Sequence, residues 1–549
     1  MSFLTPSRRD VLAAFLGSAA LASCRKRSTH LEAPRVKGAF IDDLHLVGHR
    51  LREPGPLPAS PLVERVDVAI VGAGAAGLSA GWRLAGAGFS SFLVLETDAE
   101  LGGTAKSGRD AVTAFPWGAH YLPAPLTVNG PVPRLLGELG VLIGVDPSGR
   151  PAFAEEALVR EPEERLFYRG RWYEGLYLRA GASAEDLSQL ERFEALCQVL
   201  AAAVDGRGRK AFAVPLETGS DDAEWTSLDT QPMAQWLDAQ GFTSPRLRWL
   251  VEYACRDDFG SGLATTSAWA ALWYFCARQS GEERNDGYLT WPEGNAHLTA
   301  HLAGAIGEGR LRRRTLVHSV SRSPFGWRLD GLDTVTSAPV SFEARQVILA
   351  TPRFVAARLV TEWRASPPPF VAEFTTSPWV VANVQVSRRP VSRGVPLAWD
   401  NVGYDSKSLG YVVATHQRPR AEESGPTVLT WYYPLVGPKP REERERLLAT
   451  TWEDWRSIIL ADLLPAHVNL HTLVERIDVQ RWGHAMVRPT PGFLWGKARR
   501  EAAAPLGGSL HFAHSDLGGL ALFEEANWHG VRAAEAVLKG LGSSTMSWL

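Results

Sequence analysis

The chain has little cysteine. Four residues in 549 include Cys24 and an odd set of three, Cys197, Cys255 and Cys276, which argues against a disulfide framework. Histidine and cysteine show no close zinc-type spacing, so no metal centre is expected. The chain also lacks an excess of charge. With 58 basic and 60 acidic residues the net charge is −2, and no basic stripe with interleaved aromatics occurs, so nucleic acid is not an expected partner. The short run Arg310–Arg314 reads as the solvated start of a strand. Tryptophan, by contrast, is plentiful. Most of the 20 are expected in the core, with a subset lining an apolar cavity.

With 45% hydrophobic residues and no long low-complexity tract, the chain can bury a large core and exceeds the usual single-domain size. Its most informative run is Val66–Glu96. An apolar strand (Val66, Val68, Ile70, Val71) enters a turn containing Gly72, Gly74, Ala76 and Gly77. A helical stretch follows, and a second apolar strand (Phe92, Leu93, Val94, Leu95) ends on Glu96. Gly72 allows the tight turn, Gly74 lets the backbone approach a pyrophosphate, and Gly77 lets the helix pack closely on the sheet. The helix N-terminus offers N–H groups to the phosphates, and Glu96 stands where an acid accepts hydrogen bonds from a ribose. A dinucleotide site follows from these residues.

The residues after Glu96, TDAELGGTAKSG, place paired glycines at Gly102 and Gly103. This stretch resembles the extension found in the flavin-dependent amine oxidase, protoporphyrinogen oxidase and phytoene desaturase superfamily, which implies FAD. Thr104 replaces the family's arginine, with Lys106 nearby, and a hydroxyl there substitutes only in part for a cationic contact. Leu510–Glu535 resembles the superfamily's closing segment. The resemblance makes Asp516 the acid that bonds the ribityl or pyrophosphate part, and it aims the helix N-terminus near Ala521 and Leu522 at the flavin. His514 and Glu525 replace family glycines. Leu289–Ile306 with Arg310–Val320 resembles the adenine-binding stretch, so Val317 is its expected adenine contact, and Gln346–Pro352 resembles the return strand into the flavin domain. No cysteine follows Cys276, so a cysteine-linked flavin near the C-terminus is excluded.

The resemblance implies an α/β fold: a Rossmann-type FAD-binding domain (66–125, 281–352 and 481–542) interleaved with an α+β substrate domain (126–280 and 353–480). Pro378–Val386 alternates like a strand, and Arg441–Leu464 has helical spacing. The family's lysine near the flavin falls on Trp379–Val386, where this chain has none and Asn383 is a nearby polar residue. That departure points away from a simple amine oxidase and towards desaturation by hydride removal. O2 or a quinone-type carrier is the expected electron acceptor. His120, Trp482 and His484 are the candidate catalytic or cavity-wall residues, with Tyr121 beside them. Asp257 and Asp258 could bind a cation or share a proton, but such a pair reads first as solvated or helix-capping acids. The expected activity is therefore an FAD-dependent oxidoreductase acting on a small or medium apolar or amine substrate. Two alternatives remain: a flavin-dependent isomerase of the galactopyranose mutase kind, and a flavin-binding protein without turnover.

The N-terminus carries Ser7-Arg8-Arg9-Asp10-Val11-Leu12 before the apolar stretch Val11–Ser23, the pattern of a twin-arginine signal over residues 1–24, with a linker over 25–65. That route exports folded proteins, which suits a cofactor inserted in the cytoplasm, and it implies the periplasm or cell envelope and the twin-arginine export machinery. Leu21-Ala22-Ser23-Cys24 reads as a lipobox that would make Cys24 a lipid anchor, while Ala20-Leu21-Ala22 would serve ordinary cleavage. Replacing Arg8 and Arg9 by lysine should retain the protein in the cytoplasm on cell fractionation. Cys24→Ala should separately release it from the membrane fraction, and unchanged fractionation of that variant would refute the lipid anchor.

Overall fold

The computed structural model describes residues 36–41, 44–53, 57–280, 283–284, 287–417 and 425–549. The twin-arginine stretch and Cys24 lie outside the described residues. The strand Val63–Val71 is apolar along its second half because it lies inside a seven-stranded sheet and is covered on both faces. Phe92–Leu95 and Pro339–Leu349 flank it in parallel, in the registers Val68↔Phe92 and Val68↔Gln346. Leu311–Arg312 and Leu510–Phe512 extend the parallel part. Thr315–Ser323 and Gly326–Asp333 complete the sheet as an antiparallel meander onto Pro339–Leu349. The helices Ala75–Gly86 and Phe523–Gly540 pack together so closely that a Cβ at Gly530 would lie 2.2 Å from the Ala76 carbonyl oxygen.

The second sheet also has seven strands, in the order Val474–Val487, Thr376–Val386, Thr427–Pro434, Tyr411–Val413, Asp400–Gly403, Glu164–Tyr168, Arg171–Glu174. Its strands come from widely separated parts of the sequence, as the interleaved α/β expectation requires. Three local expectations differ from what forms. The proposed boundary at 481 falls inside the 14-residue strand Val474–Val487, so the chain crosses to the flavin domain only after Val487. Arg441–Leu464 is two helices, Pro440–Ala449 and Trp452–Leu463, because the Thr451 side chain accepts the Asp454 N–H and starts a new helix. The stretch 25–65 is also more than a connector. Residues 37–41 bond along the free edge of Val474–Val487 through Ile477 N–H to the Lys37 carbonyl (2.8 Å) and Val479 N–H to the Ala39 carbonyl (2.9 Å).

Glu525 is fully buried in the first turn of Phe523–Gly540, and its Oε1 accepts the Leu216 N–H at 2.6 Å, joining the two domains. Its Oε2 has no hydrogen-bond partner, and a Cβ on Gly518 would sit 2.1 Å from that atom. Burial pushes the carboxyl up to about 8, against the opposing pull of the Leu216 N–H and Arg499. The folded protein therefore keeps this proton over a range in which the unfolded chain has lost it. Stability should fall by about 1.4 kcal/mol per pH unit from this group as pH rises from about 4.5 to about 8, and level off above. Glu525→Gln should flatten that slope in thermal unfolding and raise the melting temperature at pH 8. An unchanged slope would mean that the carboxyl is not held neutral.

Candidate active site

Two glycine turns face each other at the C-terminal end of the first sheet. Gly72 has φ +100°, and a Cβ there would meet the Ala350 carbonyl oxygen at 2.6 Å, so only glycine makes this turn. Gly74 caps the helix Ala75–Gly86 and pairs with Gly102, while a Cβ on Gly74 would meet nothing closer than the Gly103 Cα at 4.0 Å. Gly74 and the exposed Gly103 thus leave open exactly the volume a side chain would take, beside a helix N-terminus suited to anionic oxygens. Gly77 faces the turn's interior, where a Cβ would lie 1.8 Å from the Gly72 carbonyl oxygen, and Ala76 is buried against the helix Phe523–Gly540.

Glu96 accepts the Ala73 N–H (2.6 Å) and the Asp98 N–H (2.9 Å), and burial raises its pKa although those N–H groups oppose the shift. Thr104 is exposed to the cavity described below, and its carbonyl accepts the Ala119 N–H. Lys106 pairs with Asp98 at 3.1 Å and lies over the Trp482 ring, so its charge is engaged on the ribose side of the turn. Val317 is buried in the meander opposite Gly331. Asp516 accepts the Arg353 N–H at 3.0 Å. Burial alone would raise this carboxyl, but the adjacent His514 and Arg353 outweigh it and hold the pKa below the ordinary range. The donors, the acids and the open glycine face suit an FAD laid along this edge.

The second sheet covers that edge through three successive carbonyls. Asn383 Nδ2 donates to the Pro116 carbonyl (3.0 Å), Trp482 Nε1 to Trp117 (2.6 Å) and the Tyr432 hydroxyl to Gly118 (2.9 Å). The donors sit on three neighbouring strands. Asn383, on the strand where the family's lysine was expected, therefore serves as an anchor, and Thr430 donates to its Oδ1 at 2.7 Å.

Between the sheets lies a cavity of roughly 1170 Å³ including its mouth, which reaches Thr104, Gly118, Ala521 and Leu522 at the cofactor end. Leu522 caps the 18-residue helix Phe523–Gly540, so the helix's positive end points towards this region. His120 lines the cavity between Tyr432 (ring centroids 4.7 Å apart) and Trp399 (5.5 Å). Burial lowers its pKa to about 3, so it is a neutral wall. Trp482 also lines the cavity, together with Trp379 and Trp399. His484 does not: the pairing of Trp379 with Trp482 and of Ser377 with Met486 leaves extra residues between, and this bulge presents Ala485 and Met486 to the cavity instead. His484 stacks on Phe354 and shares a 2.8 Å hydrogen bond with Thr376.

Asp257 and Asp258 are the largest departure from expectation. They occupy the end of the helix Pro245–Phe259, yet both line the cavity, and Asp258 is only 4% exposed. Asp258 pairs with Arg278 at 3.1 Å and accepts the Tyr121 hydroxyl at 3.4 Å. Glu164, Asp400 and Glu524 join them, giving five carboxyl groups against one guanidinium among the described lining residues. Burial pushes Asp257 up to about 8, helped by Asp258, and Glu524 up to about 7. Asp400 is raised well above the carboxylate range by burial and by Glu164 and Asp257. No motif announces Glu164 or Asp400, which come from strands far apart in sequence.

Residues 75–538 match the family described as flavin containing amine oxidoreductase. Among solved structures, putrescine oxidase bound to putrescine is 18% identical, with a TM-score of 0.64 over 87% of this chain and 100% of that one. Cyclohexylamine oxidase from Brevibacterium oxydans is likewise 18% identical, with a TM-score of 0.61 over 87% and 99%. A thiamine thiazole synthase of Aeropyrum pernix is 42% identical over 77 residues, which is 14% of this chain and 24% of that protein.

The open face of Gly74 separates cofactor binding from folding. The Cβ that Gly74→Val adds meets no protein atom closely, so its far-ultraviolet circular dichroism should match the wild type, while FAD binding weakens by about tenfold or more, equivalent to about 1.4 kcal/mol. Full flavin occupancy in purified Gly74→Val would place the cofactor elsewhere.

Proposed function

The chain belongs to the flavin-containing amine oxidoreductase family and is an FAD-dependent oxidoreductase, and from that premise we propose that its substrate is an amine, held as an ammonium cation in the carboxylate-lined cavity. The observation that carries this reading is the ratio of five carboxyl groups to one guanidinium among the lining residues. An apolar polyene gains nothing from such a wall, and a cationic ligand offsets the free energy that burying ionised acids costs. A diphosphate substrate of the mutase kind needs clamping arginines, and Arg278, the one arginine among the described lining residues, is engaged by Asp258.

When bound, FAD supplies the acceptor for a hydride equivalent from the carbon beside the amine nitrogen. The protein's task is to bind the ammonium, strip its proton and exclude water. Trp379, Trp399, Tyr432 and Trp482 form an aromatic enclosure that favours a cation over its hydrated form. Glu524 lines the cavity two residues beyond Leu522, and with its pKa near 7 it is suited to take the ammonium proton on its carboxylate. The strand Thr376–Val386 carries no lysine, and Asn383 is committed to the Pro116 carbonyl. This favours a quinone-type carrier over O2 as electron acceptor. The twin-arginine pattern supports action in the periplasm or cell envelope.

Anaerobic mixing with amines should bleach the flavin. Glu524 and Asp257 are neutral below their raised pKa values and grip an ammonium only when ionised, so the bleaching rate at low substrate should rise between pH of about 6 and about 9. Glu524→Gln should lose the limb near neutrality and slow bleaching by about 10²-fold. Bleaching by polyenes or porphyrinogens with none by amines would assign the chain to desaturation instead.

A further inference from the structure

The cysteines among the described residues are not equivalent. Cys197 lies in the last turns of the helix Ala184–Ala202, and Cys276 is the final residue of the helix Ala268–Cys276. The two helices pack together there. Phe193, one turn before Cys197, meets Phe275, the neighbour of Cys276, edge to face with ring centroids 5.1 Å apart. The Cys276 thiol donates to the Cys197 carbonyl oxygen at 3.6 Å. It also faces the Cys197 thiol, whose pKa is pushed well above the thiol range by the hydrogen bond to Cys276 and then by burial. Both side chains are shut away, Cys197 at 3% exposure and Cys276 at 0%. Cys255 stands apart on the helix Pro245–Phe259, where its thiol has Glu252, Thr266 and Asp258 for neighbours and no second sulfur. Three buried cysteines therefore resolve into one pair and one single thiol. Packing alone asks only for small apolar side chains at these positions. What two facing thiols add is that they can be joined.

We propose that Cys197 and Cys276 are a redox pair that closes to a disulfide and locks the end of the helix Ala268–Cys276 onto the helix Ala184–Ala202. The locked stretch carries Tyr274 and Arg278 into the cavity wall, where Arg278 pairs with Asp258. The state of the pair thus sets how firmly this part of the wall is held. The step is an exchange with a small-molecule disulfide. Cys276, as thiolate, attacks one sulfur of the oxidant and releases a first thiolate. Cys197 then gives up its proton, attacks Cys276 Sγ and releases the second. One S–S bond forms in the protein for one broken in the oxidant, and the two protons pass to the departing thiolates. Lys210 is a charged neighbour of Cys276, and an ammonium there favours the thiolate that begins the exchange. The two cysteines lie 79 positions apart, so the bond closes a long loop of the unfolded chain, the case in which a cross-link stabilises most. The geometry of the pair does not depend on the export reading or on the identity of the substrate.

The test incubates the FAD-loaded enzyme in glutathione buffers from fully reduced to fully oxidised until its composition is constant. The protein is then denatured in an alkylating reagent and its peptides are mapped by mass spectrometry. Oxidising buffers should give a peptide pair linked through Cys197 and Cys276, with Cys255 alkylated. The melting temperature of the oxidised enzyme should exceed that of the reduced enzyme by several degrees. Cys197→Ala and Cys276→Ala should each keep their flavin and lose this difference, whereas Cys255→Ala should retain it. Full alkylation of Cys197 and Cys276 at every buffer ratio would overturn the pair, as would a link that runs to Cys255. A Cys197–Cys276 link that left the melting temperature unchanged would overturn the lock.

Discussion

Three hydrogen bonds across the domain interface hold the site in place: Asn383, Tyr432 and Trp482 donating to the carbonyls of Pro116, Trp117 and Gly118. The acceptors are buried, and a buried carbonyl left without a partner costs about 1 to 3 kcal/mol. Each domain thus supplies what the other lacks. Because the donors sit on three adjacent strands, the loop is held at three points by a rigid sheet, and the cavity wall that begins at Gly118 and His120 is set relative to the glycine turns.

Above this joint the cavity combines two costly features, many carboxyl groups and little water. Raised pKa values at Asp257, Asp400 and Glu524 are the physical expression of that cost. Free of ligand, such a wall lowers its energy by holding protons. On the amine reading proposed above, an ammonium would displace them, so its binding would be linked to proton release. The aromatic residues are necessary to this exchange, since they exclude water that would otherwise screen the charges.

Much of the cofactor edge is legible in the sequence because its determinants are local. Gly72, Gly74, Gly77 and Glu96 lie within one strand–turn–helix–strand unit, and the turn can be read from spacing alone. The substrate cavity is not local. Asp257 and Asp258 resemble ordinary helix-end acids until the fold brings Glu164 and Asp400 alongside them. His484 shares the local sequence of Trp482, but a bulge, which leaves no mark in residue alternation, turns it to Phe354. The break between Ala449 and Trp452 is likewise small in sequence, since a single threonine cap divides an otherwise helical pattern.

The pairing of residues 37–41 with the edge of Val474–Val487 has a consequence for the order in which the molecule is completed. A Cβ at Gly38 would lie 1.7 Å from the Ile477 carbonyl oxygen, so the two backbones meet at full contact. The segment thus finds its partner far along the chain, with 439 positions between Ala39 and Asp478. Until residues near 479 have been made, the edge strand carrying Trp482 does not exist and the early segment has nothing to bond. Once both are present, the segment caps an edge that would otherwise offer its free N–H and carbonyl groups to a neighbouring molecule. Residues 37–41 therefore act as a closing clasp, fastened only once the strand Val474–Val487 is available to fold.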